Sequence, residues 1–221
     1  MTLFPEVFAS FLQSSLLGKA HQKNIVSSHL VQIRDFAKDK HRTVDDTPFG
    51  GGEGMVLKVD VLYEAWKTAK ESAIADKTAK PTTILLSPQG ALFSQEMAKE
   101  LAAHPKLIFI CGHYEGVDER FIDLCVDREV SVGDYVLTGG ELPALVMADA
   151  IARLVPGVVG NERSISEDSL ERGLLKYPQY TRPRDFMGRS VPEVLLSGNH
   201  VEIAAWREAQ RRERTARKRR N

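Results

Sequence analysis

Cysteine is scarce in this chain. Its two copies, Cys111 and Cys125, are too few and too widely spaced for a disulfide framework, a redox pair or a metal cluster. Cys111 closes the apolar run Leu107–Ile110 and reads as a buried free thiol. No apolar run approaches the roughly 20 residues needed to cross a bilayer. The opening Met1-Thr-Leu-Phe-Pro-Glu6 has no basic stretch of the kind that begins a signal peptide. These absences point to a cytoplasmic protein with no membrane partner. Familiar site signatures are missing as well. No Gly-x-Gly-x-x-Gly follows a strand, no phosphate loop ends in Gly-Lys-Ser/Thr, and there is no helical zinc motif or nucleophile elbow. The six histidines are scattered, none paired at ligand spacing. A nucleotide-like ligand has to be held by a less common route.

What is present begins with an uneven charge. The 221 residues carry 30 Lys or Arg and 30 Asp or Glu, so the formal net charge is zero. Yet Arg207 to Arg220 holds eight Arg or Lys against Glu208 and Glu213, a local +6 on an otherwise acidic body. One or two such cations suit the negative end of a helix dipole. A terminal run of Arg217-Lys-Arg-Arg220 suggests a polyanion partner instead.

Local patterns predict the elements. Phe4 to Leu17 reads as a helix stopped by Gly18, with Phe8, Phe11, Leu12 and Leu16 on one face. Residues 25–36 look strand-like around Leu30–Ile33, and His41 to Gly54 is a polar, glycine-rich loop. A helix is expected from Val61 to about Ala75, a strand from Thr82 to Leu86, and a helix capped by Ser94 as far as Ala103. Leu107–Cys111 is a second buried strand, and a helix runs from about Pro143 to Val155. Continuous apolar strands alternating with helices argue an α/β fold around a parallel sheet covered on both faces. Residues 1–158 form that domain, residues 159–173 a mobile linker, and residues 174–221 a small helical basic domain. Its last helix starts at a capping box of Asn199 and Glu202.

Ligands of parallel sheets sit beyond the carboxyl ends of the strands. Three glycine-bearing loops, 87–90, 112–116 and 131–140, fall there. The densest is Ser131-Val-Gly-Asp-Tyr-Val-Leu-Thr-Gly-Gly-Glu-Leu-Pro143. Bare backbone at its glycines lets a flat ligand approach without a Cβ in the way. A Gly-Gly pair alone is more often a plain turn; three such loops at one sheet edge argue a single pocket.

Several segments then match a known family, in order and across nearly the whole chain. They are Leu3-Phe-Pro-Glu6, His41-Arg-Thr-Val-Asp-Asp46 with Gly50-Gly-Gly52, Leu86-Ser-Pro-Gln-Gly90, Cys111-Gly-His-Tyr-Glu-Gly-Val-Asp-Glu-Arg120, Ser131–Pro143, Pro156-Gly157, Glu167-Asp-Ser169, Tyr180-Thr-Arg-Pro183 and Leu195–His200. The chain resembles the bacterial tRNA (guanine-N1)-methyltransferases of the TrmD family, in the SPOUT class. The resemblance implies a parallel-sheet SPOUT domain with a deep C-terminal trefoil knot, a homodimer with shared sites, and S-adenosylmethionine as cofactor. Carried over residue by residue, Leu86, Ser87, Pro88, Gly112, Tyr114, Glu115, Gly116, Val132, Gly133, Asp134, Tyr135, Val136, Leu137, Gly139, Gly140 and Pro143 match cofactor positions. Asp168 matches a general base, Arg153 an arginine that steadies charge on guanine O6, and Glu115 a residue near the target base with which Mg²⁺ is associated. The implied substrate is the tRNA anticodon stem-loop and the implied product is methylated at N1 of guanosine-37. His113 departs from the arginine that many members carry.

The residues by themselves allow plainer readings. Asp168 can be a first-turn acid, Arg153 a surface arginine, and Glu115 and Asp118 partners of Arg120. Tyr114 and Tyr135 can be core residues, and Asp45 and Asp46 turn residues. A non-catalytic RNA-binding scaffold and a tRNA ribose 2′-O-methyltransferase remain the alternative functions.

Overall fold

The computed structural model describes residues 1–72, 80–160, 168–170 and 173–219. The chain divides into two compact units, Met1–Gly160 and Asn161–Asn221.

In the first unit, β3 (Thr82–Leu92) lies between β4 (Leu107–Cys111) and β5 (Arg128–Ser131), all parallel. Side chains alternate across a strand, and the apolar run Ile84–Leu86 therefore feeds two cores. Ile84 and Leu86 join Cys111 and Val130 on one face. That face is covered by α4 (Gln95–Ala102) and α6 (Glu141–Ala152), which bring in Leu101, Ala144 and Met147. Leu85 joins Ile108 and Ile110 on the other, beneath α3 (Val59–Ser72) and α5 (Glu119–Cys125), with Leu62, Ala65 and Phe121. This is the α/β layering that the continuous apolar strands predict.

Several elements differ from expectation. The N-terminal helix is two helices, α1 (Glu6–Gln13) and α2 (Ser15–Gln22), broken at the extended Ser14. Gly18 does not stop a helix. It lies inside α2, where a Cβ would strike the carbonyl of Gln13 at 2.3 Å, so its role is to let the end of α1 pass. Residues 25–36 contain only the short 3₁₀ turn Ile33–Phe36 and a single bridge from Thr2 to Gln32. The segment 87–90 is not a loop: β3 runs on to Leu92, shifting register against β5 between Leu86 and Ala91. Gly90 makes that possible, because a Cβ there would meet the backbone of Glu129 and Val130 at 2.3 Å.

Helix α5 was not foreseen, although Asp118 is its capping residue. The Asp118 carboxylate accepts from the Arg120 amide at 3.0 Å and pairs with its guanidinium at 2.7 Å. That pairing holds the Asp118 carboxyl below its usual range. Asp45 and Asp46 form β1, antiparallel to β2 (Val56–Leu57), rather than a turn. Helix α6 starts two residues earlier than expected, and the end expected for α3, Ala73 to Ala75, lies outside the described residues.

The second unit carries α7 (His200–Lys218). The Asn199 side chain accepts from the amides of Val201 and Glu202 and so caps it, while the Asn199 amide donates to Ser197 Oγ at 3.1 Å and not to Glu202 as the expected capping box requires. No residue of α7 is buried. The Tyr177 ring packs under Arg207 and Arg211 at 4.8 and 5.3 Å, and Tyr180 faces Trp206 at 6.4 Å. A tight hairpin joins β6 (Asp185–Phe186) to β7 (Arg189–Ser190) through Met187 and Gly188, both at positive φ, the geometry a two-residue hairpin turn requires. The expected linker is only partly described, since residues 161–167, 171 and 172 lie outside the described set.

Phe121 is fully enclosed between α3 and the sheet. Phe121→Ala is expected to lower stability by about 3–5 kcal/mol, the usual cost of emptying a buried aromatic site. Urea unfolding followed by circular dichroism measures it.

Candidate active site

A cavity of about 340 Å³ opens beyond the carboxyl ends of β4 and β5 and along the middle of β3. Backbone supplies much of its wall. Leu86, Ser87 and Pro88 form one side, Gly112 with Tyr114, Glu115 and Gly116 the second, and Val132 with Tyr135, Val136 and Leu137 the third. Gly139, Gly140 and Pro143 close it. Gly133 and Asp134 do not line it. Gly133 sits behind the Tyr135 ring, which occupies the space of a Cβ at that position.

Four hydrogen bonds hold the walls in place. The Gly140 amide donates to the Gly112 carbonyl at 2.9 Å. A Cβ on Gly140 would lie 2.6 Å from the Cys111 Cα and 2.9 Å from the Gly112 nitrogen, so only glycine fits. Ser131 folds the third wall by donating its hydroxyl to the Gly133 carbonyl at 2.9 Å. The glycine-rich loop that ends at Gly54 is fastened beside the second wall: the Glu115 amide donates to the Met55 carbonyl at 2.9 Å, and the Leu57 amide to the Gly116 carbonyl at 3.0 Å. The bare Cα of Gly54 leaves room for the Glu115 side chain, whose Cγ a Cβ would meet at 2.4 Å and whose Oε1 at 2.5 Å.

Tyr114 and Tyr135 are 50% and 58% exposed, so they are surface-facing rim residues and not core. Tyr114 takes a positive φ of 59°, a backbone conformation uncommon for a residue other than glycine.

The pattern missed one buried group. Glu141, the first residue of α6, is buried and accepts from the Thr2 hydroxyl at 2.6 Å. Its other oxygen meets His113 Nε2 at 2.7 Å. The imidazole also packs against Phe4 at 5.1 Å and occupies the space beside Gly139. An anion at a helix N-terminus is favoured by the dipole. Here it also ties the N-terminus, the second wall and the closing glycines together. A glutamate directly after Gly-Gly and before an apolar helix was the available signal.

Arg153 caps the C-terminal end of α6 and does not line the cavity. Asp168 belongs to the second unit, where Lys176 Nζ lies 3.0 Å from its carboxylate and the Lys176 amide donates to Ser169 Oγ at 2.9 Å. Among the described residues no three His, Cys, Asp or Glu side chains converge as a metal would require. Among the described residues Glu115 is therefore not part of a cluster of three such ligands.

The chain as a whole matches one family. The family model described as tRNA (Guanine-1)-methyltransferase TrmD covers residues 1–221. This chain belongs to that family. It is 52% identical over 219 residues to the tRNA (guanine-N(1)-)-methyltransferase of Ruminiclostridium cellulolyticum, spanning 99% of this chain and 92% of the relative. It is 54% identical over 219 residues to the enzyme of the same name from Moorella thermoacetica, spanning 99% and 86%. Against the one from Staphylococcus carnosus it is 53% identical over 215 residues, spanning 97% and 85%. Among the described residues no helix is long and apolar enough to cross a membrane.

Two outcomes follow from the backbone contacts. Gly140→Ala should cost about 1–3 kcal/mol through overpacking, while Gly160→Ala, whose Cβ meets nothing within 4 Å, should stay within about 0.5 kcal/mol of the parent. Chemical denaturation of the pair decides. Burial pushes the Cys111 thiol from 9.0 up to about 12. The folded state thus holds a proton that the unfolded state releases. Stability from this group is complete below pH 9 and falls as pH rises toward about 12. Denaturation midpoints of the parent and Cys111→Ala, compared between pH 8 and 11, should converge as pH increases.

Proposed function

We propose that this chain transfers a methyl group from S-adenosylmethionine to N1 of guanosine-37, beside the anticodon of tRNA. The observation that carries the reading is full-length membership of the TrmD family, with relatives of that name at 52–54% identity over nearly the whole chain. The glycine-built cavity supports it, since its backbone walls suit a flat adenosine and leave its amides and carbonyls to be read.

The bound cofactor supplies an electrophilic methyl on a sulfonium. The rest of the chemistry falls to the chain. Guanine N1 bears a proton and attacks poorly until that proton leaves. Asp168 accepts it as general base. Charge then grows on O6, where a fixed guanidinium, Arg153, opposes it. An ordinary aspartate is a weak base, with a reference pKa of about 3.9. Asp168 therefore has to exchange its Lys176 partner for the guanine once tRNA encloses it. Glu115, at the cavity wall beside Gly54, orients the base, and no step is assigned to Mg²⁺.

Residues 1–158 serve as the cofactor domain, 159–173 as the connecting segment and 174–221 as the RNA-binding domain. The exposed cations of α7, with Tyr177 and Trp206 between them, suit phosphates and unstacked bases. A deep trefoil knot is part of this reading, supported by the passage of Gly140 against Cys111 and Gly112. So are a homodimer that completes each site and a place in the cytoplasm, both supported by family membership.

Incubation with tRNA and S-adenosylmethionine, then nuclease digestion and mass spectrometry, should yield 1-methylguanosine. A ribose-methylated nucleoside, or no methylation, contradicts the proposal. Asp168→Asn should lower kcat by about 10²–10⁴-fold with tRNA affinity held within a few-fold; near-normal turnover removes Asp168 from the role. Binding of tRNA should weaken steeply between 50 and 200 mM salt, as filter-binding titrations would read.

A further inference from the structure

Tyr177 and the two arginines over its ring form an arrangement that a basic composition alone does not require. Arg207 and Arg211 are four residues apart on α7, so they share a face of the helix. Both bring their guanidinium carbons over the one Tyr177 ring, at 4.8 and 5.3 Å from its centroid. Two neighbouring arginines are held differently. Arg212 pairs with Glu208 at 3.0 Å, and Arg214 donates to the Lys176 carbonyl at 3.5 Å. Arg207 is exposed and makes no ion pair among the described residues.

The ring itself is anchored. Residues 174–180 lie along α7 as a strap, tied on either side of Tyr177. The Leu175 amide donates to Thr215 Oγ1 at 2.8 Å, and Tyr180 faces Trp206 at 6.4 Å. Between these ties Tyr177 precedes Pro178, whose ring restricts the backbone of the residue before it.

A loose arginine side chain samples many rotamers and gives them up when it grips a phosphate. A guanidinium held on an aromatic face has already given up most of that freedom, and cation–π attraction supplies the hold. Its N–H donors lie at the edge of its plane, so a ring beneath the plane leaves them to a third group.

We propose that Tyr177 is a positioning residue for tRNA, holding Arg207 and Arg211 as a preformed bracket for the sugar–phosphate backbone near the target nucleotide. This rests on the tRNA substrate proposed above. The strap sets the bracket one residue from Lys176, whose ammonium lies 3.0 Å from the Asp168 carboxylate. Backbone captured there stands next to the ion pair that the target base has to open. The bracket thus serves substrate capture, and Tyr177 touches no reacting atom.

Filter binding of unmodified tRNA over a range of salt, in a double-mutant cycle of full-length chains, tests the bracket. Tyr177→Phe keeps the ring and should bind within about 2-fold of the parent. Tyr177→Leu frees two long side chains and should bind about 10-fold more weakly. Arg207→Gln should weaken binding of the parent about 10-fold and lower the salt slope by about 1. In the Tyr177→Leu background the same change should cost only about 3-fold or less. Arg207 is exposed, so Arg207→Lys reads the same claim without endangering the fold. It should keep the salt slope yet bind several-fold more weakly, because an ammonium has no planar fork to lay on the ring. Equal costs of Arg207→Gln in the two backgrounds, or parent-like binding by Arg207→Lys, would overturn the bracket. So would Tyr177→Phe binding as weakly as Tyr177→Leu. Those results leave the methyl-transfer reading standing where the parent yields 1-methylguanosine; a parent that neither binds nor methylates tRNA overturns both.

Discussion

The contact between Gly140 and Gly112 governs the arrangement of the first unit. A 2.9 Å hydrogen bond and a backbone approach too close for any Cβ bring residues 132–140 across the end of β4. From that crossing α6 begins at once, so Glu141 arrives at a helix N-terminus with its carboxylate turned toward Thr2 and His113. The cavity is the space left between backbones held this way. Its walls are stiff because they are tied by main-chain bonds on both sides, from Gly112 to Gly140 and from Gly116 to Leu57.

Binding and chemistry are thereby given different materials. The cavity of the first unit is lined by Gly112, Gly116, Gly139 and Gly140 together with Glu115, Glu119 and Glu129, and under the proposed function its bare glycine backbone suits a flat adenosine. The second unit has no buried residue in α7 and a crowd of exposed cations, which suits a polyanion. The proposed base belongs to that second unit and rests against a lysine. That carboxylate lies 3.0 Å from the Lys176 ammonium. Under the proposed function it takes up the guanine proton only when an RNA base takes the lysine's place, which couples proton removal to substrate arrival.

The parallel sheet was legible because Thr82–Leu86 and Leu107–Cys111 are unbroken apolar runs, a pattern that sheets buried on both faces impose. The three-walled cavity was legible for a related reason: glycines cluster where backbone must come close. Other features depend on tertiary contacts that no local pattern encodes. Gly18 reads as a helix stop, yet it is a clearance for Gln13. Gly90 reads as a loop glycine, yet it sits in a strand that crosses β5. Gly133 and Asp134 share a motif with the lining residues but do not line the cavity, and the Tyr135 ring folds back over Gly133. Glu141 was passed over since a charged residue is expected at the surface; only the meeting of Thr2 and His113 makes it a buried anchor.

Titration calorimetry of S-adenosylmethionine into the folded chain, without RNA, tests most directly whether the glycine-walled space is a methyl-donor site. One saturable event per chain is expected, competed by S-adenosylhomocysteine. A folded chain that gives no saturable heat with either compound would contradict it.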